Sequence, residues 1–276
     1  MPMISPLSRL SPLGHGGGSY RIVNAELTTY TTGLTTALSD SQLRNLDTFI
    51  ASVKTGLSIT NLSDAFDTIY VLAGETSESS LRNLVKNAHH ATAVNSPTFA
   101  KYEGFTGNGT TSYINTNYNP ATEADNYALN ASAIGIYNRT GVQAAVNDIG
   151  AVNASGIGVT LNVTALLDNS SVRHNSDLHN TLNNIRLGMK ISSRSNNASI
   201  VYYENKTAQN EYIASSSIYS GNIYILCRNN NGSPSAYSSN QLSFAFLGKD
   251  LTSTNVGKIV DAFEVYMDAN GKGVIS

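Results

Sequence analysis

The chain has 276 residues, a formal net charge of −2 and only 13% charged side chains, so it carries no basic footprint for nucleic acid. Asn, Ser and Thr make up roughly a third of it, a composition suited to an extracellular or particle-surface β protein. Apolar residues at 41% and 15 tyrosines exclude a disordered chain, and the length suffices for one large β domain with a small helical piece.

Residues 1–20 read as an extended arm. Pro2, Pro6 and Pro12 block regular helix, and Gly16, Gly17 and Gly18 form a flexible hinge. Pro6, Pro12, Gly16, Gly17 and Gly18 are the candidate docking residues, with a partner chain holding the arm in place. The same stretch lacks the continuous apolar core of a signal peptide. Release by lysis or assembly on a particle is therefore expected over classical secretion.

Residues 21–94 form a helical lead-in. Ser39 or Asp40 caps a helix with Leu43, Leu46, Phe49, Ile50 and Val53 on its apolar face, and Gly56 stops it. A second helix is predicted over 62–72, with Phe66, Ile69 and Tyr70 on one side and Gly74 as its stop. Residues 80–86 add one more helical turn. This much helix cannot build its own core, so it packs on the β domain C-terminal to it.

Residues 95–276 form a β-sandwich domain closed by a helix. From Tyr102 onward the pattern alternates, with candidate strands at 112–116, 127–137, 157–163, 185–192, 199–204, 211–214, 222–228 and 242–247. Turn clusters such as Asn138-Arg-Thr-Gly and Asn229-Asn-Asn-Gly separate them. Many strands without intervening helices predict a mainly β chain folded as an antiparallel sandwich or jelly roll. The lone Cys227 lies in an apolar run and reads as a small buried hydrophobe, which excludes an internal disulfide. The terminal helix starts at Thr252 or Ser253, buries Val256, Ile259, Val260, Phe263 and Met267, and ends at Gly271. No apolar run is long enough to cross a bilayer, so no membrane insertion is expected.

Motifs for catalysis, metals and cofactors each fail on a named residue. His15-Gly-Gly-Gly copies a lipase oxyanion string, but no Gly-x-Ser-x-Gly accompanies it. Asp268-Ala-Asn-Gly-Lys imitates a calcium loop, with Lys272 where an oxygen ligand belongs. His89-His90 and the pair His174 and His179 lack zinc-site support and read as solvated loop histidines. Gly107-Asn-Gly109 and Gly156-Ile-Gly158 lack the third glycine of a dinucleotide loop. Glu123-Ala-Asp125 is followed by no second Glu, as a sandwich glucanase motif requires, while Glu204 and Glu211 stand apart. The expectation is a non-enzyme with no cofactor and no metal.

Three stretches carry a resemblance. The first runs from Asn95-Ser-Pro-Thr-Phe through Gly104-Phe-Thr-Gly-Asn-Gly-Thr-Thr-Ser-Tyr-Ile-Asn-Thr to the strand ending Gly135-Ile-Tyr. The others are Asn222-Ile-Tyr-Ile-Leu-Cys-Arg-Asn-Asn-Asn-Gly and Phe244-Ala-Phe-Leu-Gly-Lys-Asp-Leu-Thr-Ser with its following helix. Over roughly residues 40 to 270 the chain resembles phage and prophage virion proteins built on a concanavalin A-like (LamG-type) lectin/glucanase sandwich. The resemblance implies a concanavalin A-like jelly roll in a structural protein of a tail, fibre, baseplate or capsid surface. It implies other virion proteins and further copies of the chain as partners, and a virion location. It transfers no site residues.

The alternative is a carbohydrate-binding adhesin that contacts host surface polysaccharide. An Asn-rich turn beside a Tyr offers amide hydrogen bonds and a stacking ring, so Asn229, Asn230, Asn231 and Tyr237 are its candidate contacts. A plain solvated hairpin turn is the competing reading of the same residues.

Overall fold

Ser39 opens the first long helix as expected, its Oγ accepting the Gln42 N–H at 3.3 Å. The computed structural model describes residues 19–141, 146–163, 169–183 and 187–275. The five docking candidates of the arm, Pro6, Pro12, Gly16, Gly17 and Gly18, lie outside these described residues.

Two helices lead the described chain, α1 (Ala25–Thr31) and α2 (Asp40–Leu57). The second helix passes Gly56 by one residue and closes on Ser58, which takes the left-handed φ of 56°. Asp47 ties the incoming chain to α2. Its carboxylate accepts from the Tyr20 hydroxyl (2.8 Å), the Val23 N–H (2.7 Å), the Asn24 N–H (2.9 Å) and the Asn24 amide (2.6 Å).

The helix predicted over 62–72 is corrected. Leu62–Asp64 make a single 3-10 turn, and Phe66–Tyr70 form strand β1. All five β1 residues are buried, so no polar face remains for a surface helix. Phe66, Ile69 and Tyr70 fit a 3-to-4 spacing, but aromatic and β-branched side chains covered on both sides favour strand. A short helix α3 (Ser77–Ser80) ends where the predicted turn at 80–86 was to begin.

Strands then follow without a long helix. They are β2 (Thr92–Val94), β3 (Thr98–Ala100), β4 (Gly104–Thr106), β5 (Tyr113–Asn115) and β6 (Ser132–Asn138). Next come β7 (Ile149–Val152), β8 (Gly158–Val163), β9 (Asn169–Ser176), β10 (Asn180–Asn183) and β11 (Gly188–Arg194). The last are β12 (Ile200–Glu204), β13 (Thr207–Glu211), β14 (Tyr224–Ile225), β15 (Arg228–Asn230), β16 (Ser233–Ser235) and β17 (Gln241–Gly248). Helix α4 (Ser253–Ala269) closes the fold, capped by Thr252 as predicted.

The strands make two sheets. One has eight strands in the order β13-β12-β11-β6-β17-β4-β3, with β1 also paired to β17. The other has nine, in the order β10-β9-β8-β7-β14-β5-β2, with β15 and β16 attached beside β7. Pairing is antiparallel except between β15 and β7. The protein is therefore the mainly β sandwich that the alternation predicts.

Burial shows how the layers stack. On β17, Phe244 and Phe246 join the cluster containing Phe49, Val256 and Phe263, while Leu242, Ala245 and Leu247 join the cluster containing Ile114, Leu161 and Ile225. The eight-stranded sheet is thus a middle layer. Helices cover one of its faces and the nine-stranded sheet covers the other, which is why every residue of β6, β11 and β17 is buried. Phe244 and Phe263 stack with ring centres 4.4 Å apart, locking α4 to the sheet. The predicted dependence of the helices on the sandwich for their core is met.

Other expectations shift. The strand at 211–214 lies earlier, as β13, paired to β12 across a turn at Asn205 (φ 53°). The strand at 222–228 divides into β14 and β15, because Leu226 adopts φ 66° and turns the chain. His174 is no loop histidine. It is fully buried on β9, between the Ser192 hydroxyl (2.8 Å from Nδ1) and the Ser132 hydroxyl (3.0 Å from Nε2). His179 is exposed, and His89 and His90 are half-buried.

Candidate functional site

Both faces of the middle sheet are covered, whereas among the described residues no helix and no further sheet packs on the outer face of the nine-stranded sheet, where Thr160 and Tyr224 are buried by their neighbours and Tyr113, Arg173, Arg228 and Tyr237 are half-buried. Alternation decides what stands on that face. Ile114, Ile225, Leu161 and Val172 point into the core, so Tyr113, Tyr224, Thr160 and Arg173 point outward. The register aligns them. Arg173 lies opposite Thr160, Thr160 opposite Gly150, Gly150 opposite Tyr224, and Tyr224 opposite Asn115.

Three tyrosine rings gather at one end of this row. Tyr113 sits diagonally from Tyr224, with ring centres 4.7 Å apart and planes tilted by 34°. Tyr237 follows at 6.4 Å from Tyr113. Tyr113 and Tyr237 are half-buried, and Tyr224 keeps 9% of its surface exposed. Burial, and then Tyr113 beside it, pushes the Tyr224 hydroxyl up to about 12. Burial also raises the Tyr237 hydroxyl, helped by Cys227 and Tyr113. Both hydroxyls are neutral at physiological pH and able to donate and accept hydrogen bonds. Such a cluster presents flat apolar rings with polar rims, which suits the CH face and hydroxyls of a sugar.

The chain from 224 to 238 builds the centre of the face. After Leu226 turns it, β15 and β16 form a two-residue hairpin with Asn231 at φ 51° and Gly232 at φ 92°. Both central residues are left-handed, as an Asn-Gly turn of this kind requires. The segment then returns past Leu226, whose carbonyl accepts the Ser238 N–H at 2.8 Å. This return sets Tyr237 beside Tyr113.

The four sequence candidates divide. Tyr237 joins the tyrosine cluster. Asn229 is buried at 3% exposure, donating from Nδ2 to the Asn222 carbonyl (2.7 Å) and accepting the Gly232 N–H (2.8 Å). Its side chain serves the turn. Asn230 and Asn231 are exposed at the hairpin tip, and the Asn231 N–H donates to the Val152 carbonyl at 2.7 Å. Tyr113, Tyr224, Arg173 and Arg228 were not singled out by the sequence. For the two tyrosines a signal existed, since each alternates with a core isoleucine.

Cys227 is fully buried under this face, and burial pushes its thiol up to about 12. It is therefore protonated at neutral pH and inert as a nucleophile. Among the described residues, no three His, Cys, Asp or Glu side chains gather as a metal-holding group. Two surface depressions, of about 470 Å³ beside Thr48, Gly56 and Lys258 and about 80 Å³ beside Phe49, Val265 and Tyr266, lie on the helical layer. Neither brings an acid and a base together.

No known family model matches the sequence, and no curated protein matches it. Similarity appears at the level of fold. The chain superposes on the botulinum neurotoxin serotype D binding domain with a TM-score of 0.50 and 9% identity, covering 72% of this chain and 52% of that one. It thus spans about half the length of the toxin structure it matches. Domain 4 of the extracellular arabinanase AbnA from Geobacillus stearothermophilus, in complex with arabinotriose, aligns at TM-score 0.42 and 10% identity, over 70% of this chain and 100% of that one. The protein belongs to the class of two-sheet β-sandwiches that includes the toxin binding domain.

Proposed function

We propose that the protein is a carbohydrate-recognition module that binds glycan on the outer face of its nine-stranded sheet. The observation that carries this reading is the convergence of Tyr113, Tyr224 and Tyr237 at the outer face of the nine-stranded sheet, with Tyr113 and Tyr237 half-exposed. Stacking on such rings is a low-entropy way to hold a sugar, because each tyrosine has only two side-chain torsions to fix. The reading is of a binder without catalysis. Its test is a printed glycan array probed with the intact chain. Retention of at least one oligosaccharide is expected, and an array with no retained glycan overturns the reading. Release of reducing ends from a bound polysaccharide would overturn the non-catalytic half alone.

A second, compatible reading concerns where the module works. The wording of residues 95–120 and the Pro- and Gly-rich arm support a virion protein that displays the sandwich outward and docks through the arm. Antibody-labelled micrographs of virions place or exclude it. Deleting residues 1–18 should abolish incorporation while leaving the sandwich folded. Normal incorporation of the shortened chain contradicts the docking role.

A further inference from the structure

Beside its tyrosines the outer face of the nine-stranded sheet carries two half-buried arginines whose hydrogen-bonding capacity is not used up. Arg173 on β9 lies opposite Thr160, which lies opposite Gly150. Arg228 precedes Asn229, which pairs with Ala151, so Arg228 lies on the edge of β7 away from β8, next to the Tyr224–Gly150 pair. Gly150 puts no side chain between them. The arginines therefore flank one stretch of β7 and β8, with Tyr224 next in the same row.

Their donors are incompletely matched. The Nε atoms of Arg173 and Arg228 are both buried without a hydrogen-bond partner, as is the Oγ of Ser235, which faces Arg228 across the hairpin. Arg173 Nη1 donates to the Gly156 carbonyl, and Nη2 lies 3.4 Å from His179 Nδ1. Among the described residues neither arginine lies within salt-bridge distance of a carboxylate. Asp177 acts on Arg173 from further off, while its Oδ1 accepts the Ser216 hydroxyl at 3.0 Å. Burial, and then the charge of Arg228, presses the Arg173 guanidinium below its ordinary value. Buried N–H groups without partners and two neighbouring like charges both cost free energy. An anion between them relieves both at once.

We propose that Arg173 and Arg228 form an anion subsite for the carboxylate of an acidic sugar whose ring stacks on Tyr113, Tyr224 and Tyr237. The guanidinium fork matches a planar carboxylate with two parallel hydrogen bonds. From Arg173 to Tyr224 the row crosses three strand spacings, about 14 Å. That span fits an oligosaccharide rather than a single sugar. The ligand class is thus a carboxylate-bearing oligosaccharide, which narrows the glycan reading above and rests on it.

The experiment compares uronate and sialoside oligosaccharides with their carboxyl-reduced counterparts on one array, then by calorimetric titration with the intact chain. The acidic member of each retained pair is expected to bind at least tenfold tighter, with affinity falling as salt rises. Arg228→Gln should erase that preference, and Arg228→Lys should restore only part of it. Arg173→Gln should reduce the preference as well, with the thermal melt of each variant recorded to show that it is folded. Equal affinity for an acidic glycan and its reduced form overturns the inference and spares the glycan reading, and this arm requires no variant to fold. Equal retention of sulfated chains overturns the assignment to a carboxylate. Retention of neither acidic nor neutral glycan overturns both readings.

Discussion

His174 gives the fold a specific acid sensitivity that substitution should remove. Its ring is fully buried between the two sheets, flanked by the Ser132 and Ser192 hydroxyls and stacked 6.0 Å from Tyr127. Burial, and then the nearby Arg194 charge, lowers its pKa from 6.5 to about 3. Above the ordinary value both the folded and unfolded chains hold a neutral imidazole, so His174 adds no pH dependence there. As the pH falls through that value, the unfolded chain gains a proton that the folded chain refuses, and stability is lost until the folded pKa is reached. From about pH 7.5 to about pH 4.5 the loss from this one group is about 3 kcal/mol. His174→Gln keeps an amide for the two serines and has nothing to titrate. Acidic groups lower stability in acid too, but equally in both proteins. Urea denaturation followed by circular dichroism at the two pH values should show wild type losing about 3 kcal/mol more than the variant. Equal losses in the two proteins would refute the neutral buried imidazole.

Asp47→Asn should loosen the start of the described chain from α2. Burial raises the Asp47 pKa, but hydrogen bonds from Asn24, Val23 and Tyr20 outweigh it and hold the carboxyl below its usual range. The stability it contributes is present above the ordinary carboxylate value and is lost as the pH falls through the lower, folded value. At neutral pH the substitution should cost about 2 kcal/mol in urea denaturation and expose the Val23 and Asn24 amides to hydrogen exchange, and unchanged protection would contradict this role. Gly135→Ala should lower the melting temperature, because a Cβ there would sit 2.1 Å from Cε1 of Phe246. That ring is wedged edge-on against Phe66 at 5.5 Å, so the overpacking costs about 1–3 kcal/mol. A melt equal to wild type would show that Phe246 has room to move.

The sandwich was legible because its strands alternate, and α2 and α4 because their apolar residues recur at helical spacing. Where these cues failed, burial was the cause. Phe66–Tyr70 is covered on both faces, and such a strand has no polar positions to betray its period of two. β9 was missed for a related reason, since its alternation is carried by Arg173 outward and His174 inward, two polar residues that read as loop. Asn229 looked like a ligand contact by composition, yet the hairpin consumes its amide at both ends. Tyr113 and Tyr224 are far apart in the chain and meet only because β5 and β14 pair. No spacing rule in one sequence brings such residues together.

Whether the tyrosine face holds the sugar is decided by a calorimetric titration of the best array ligand. It is run against the intact protein and against Tyr113→Ala, with the melt of each recorded. Removing the central ring of the three should weaken binding about tenfold or more while leaving the fold intact, as expected for loss of a stacking contact and its hydrogen bond. Affinity unchanged in a folded Tyr113→Ala protein would contradict the placement of the site on this face.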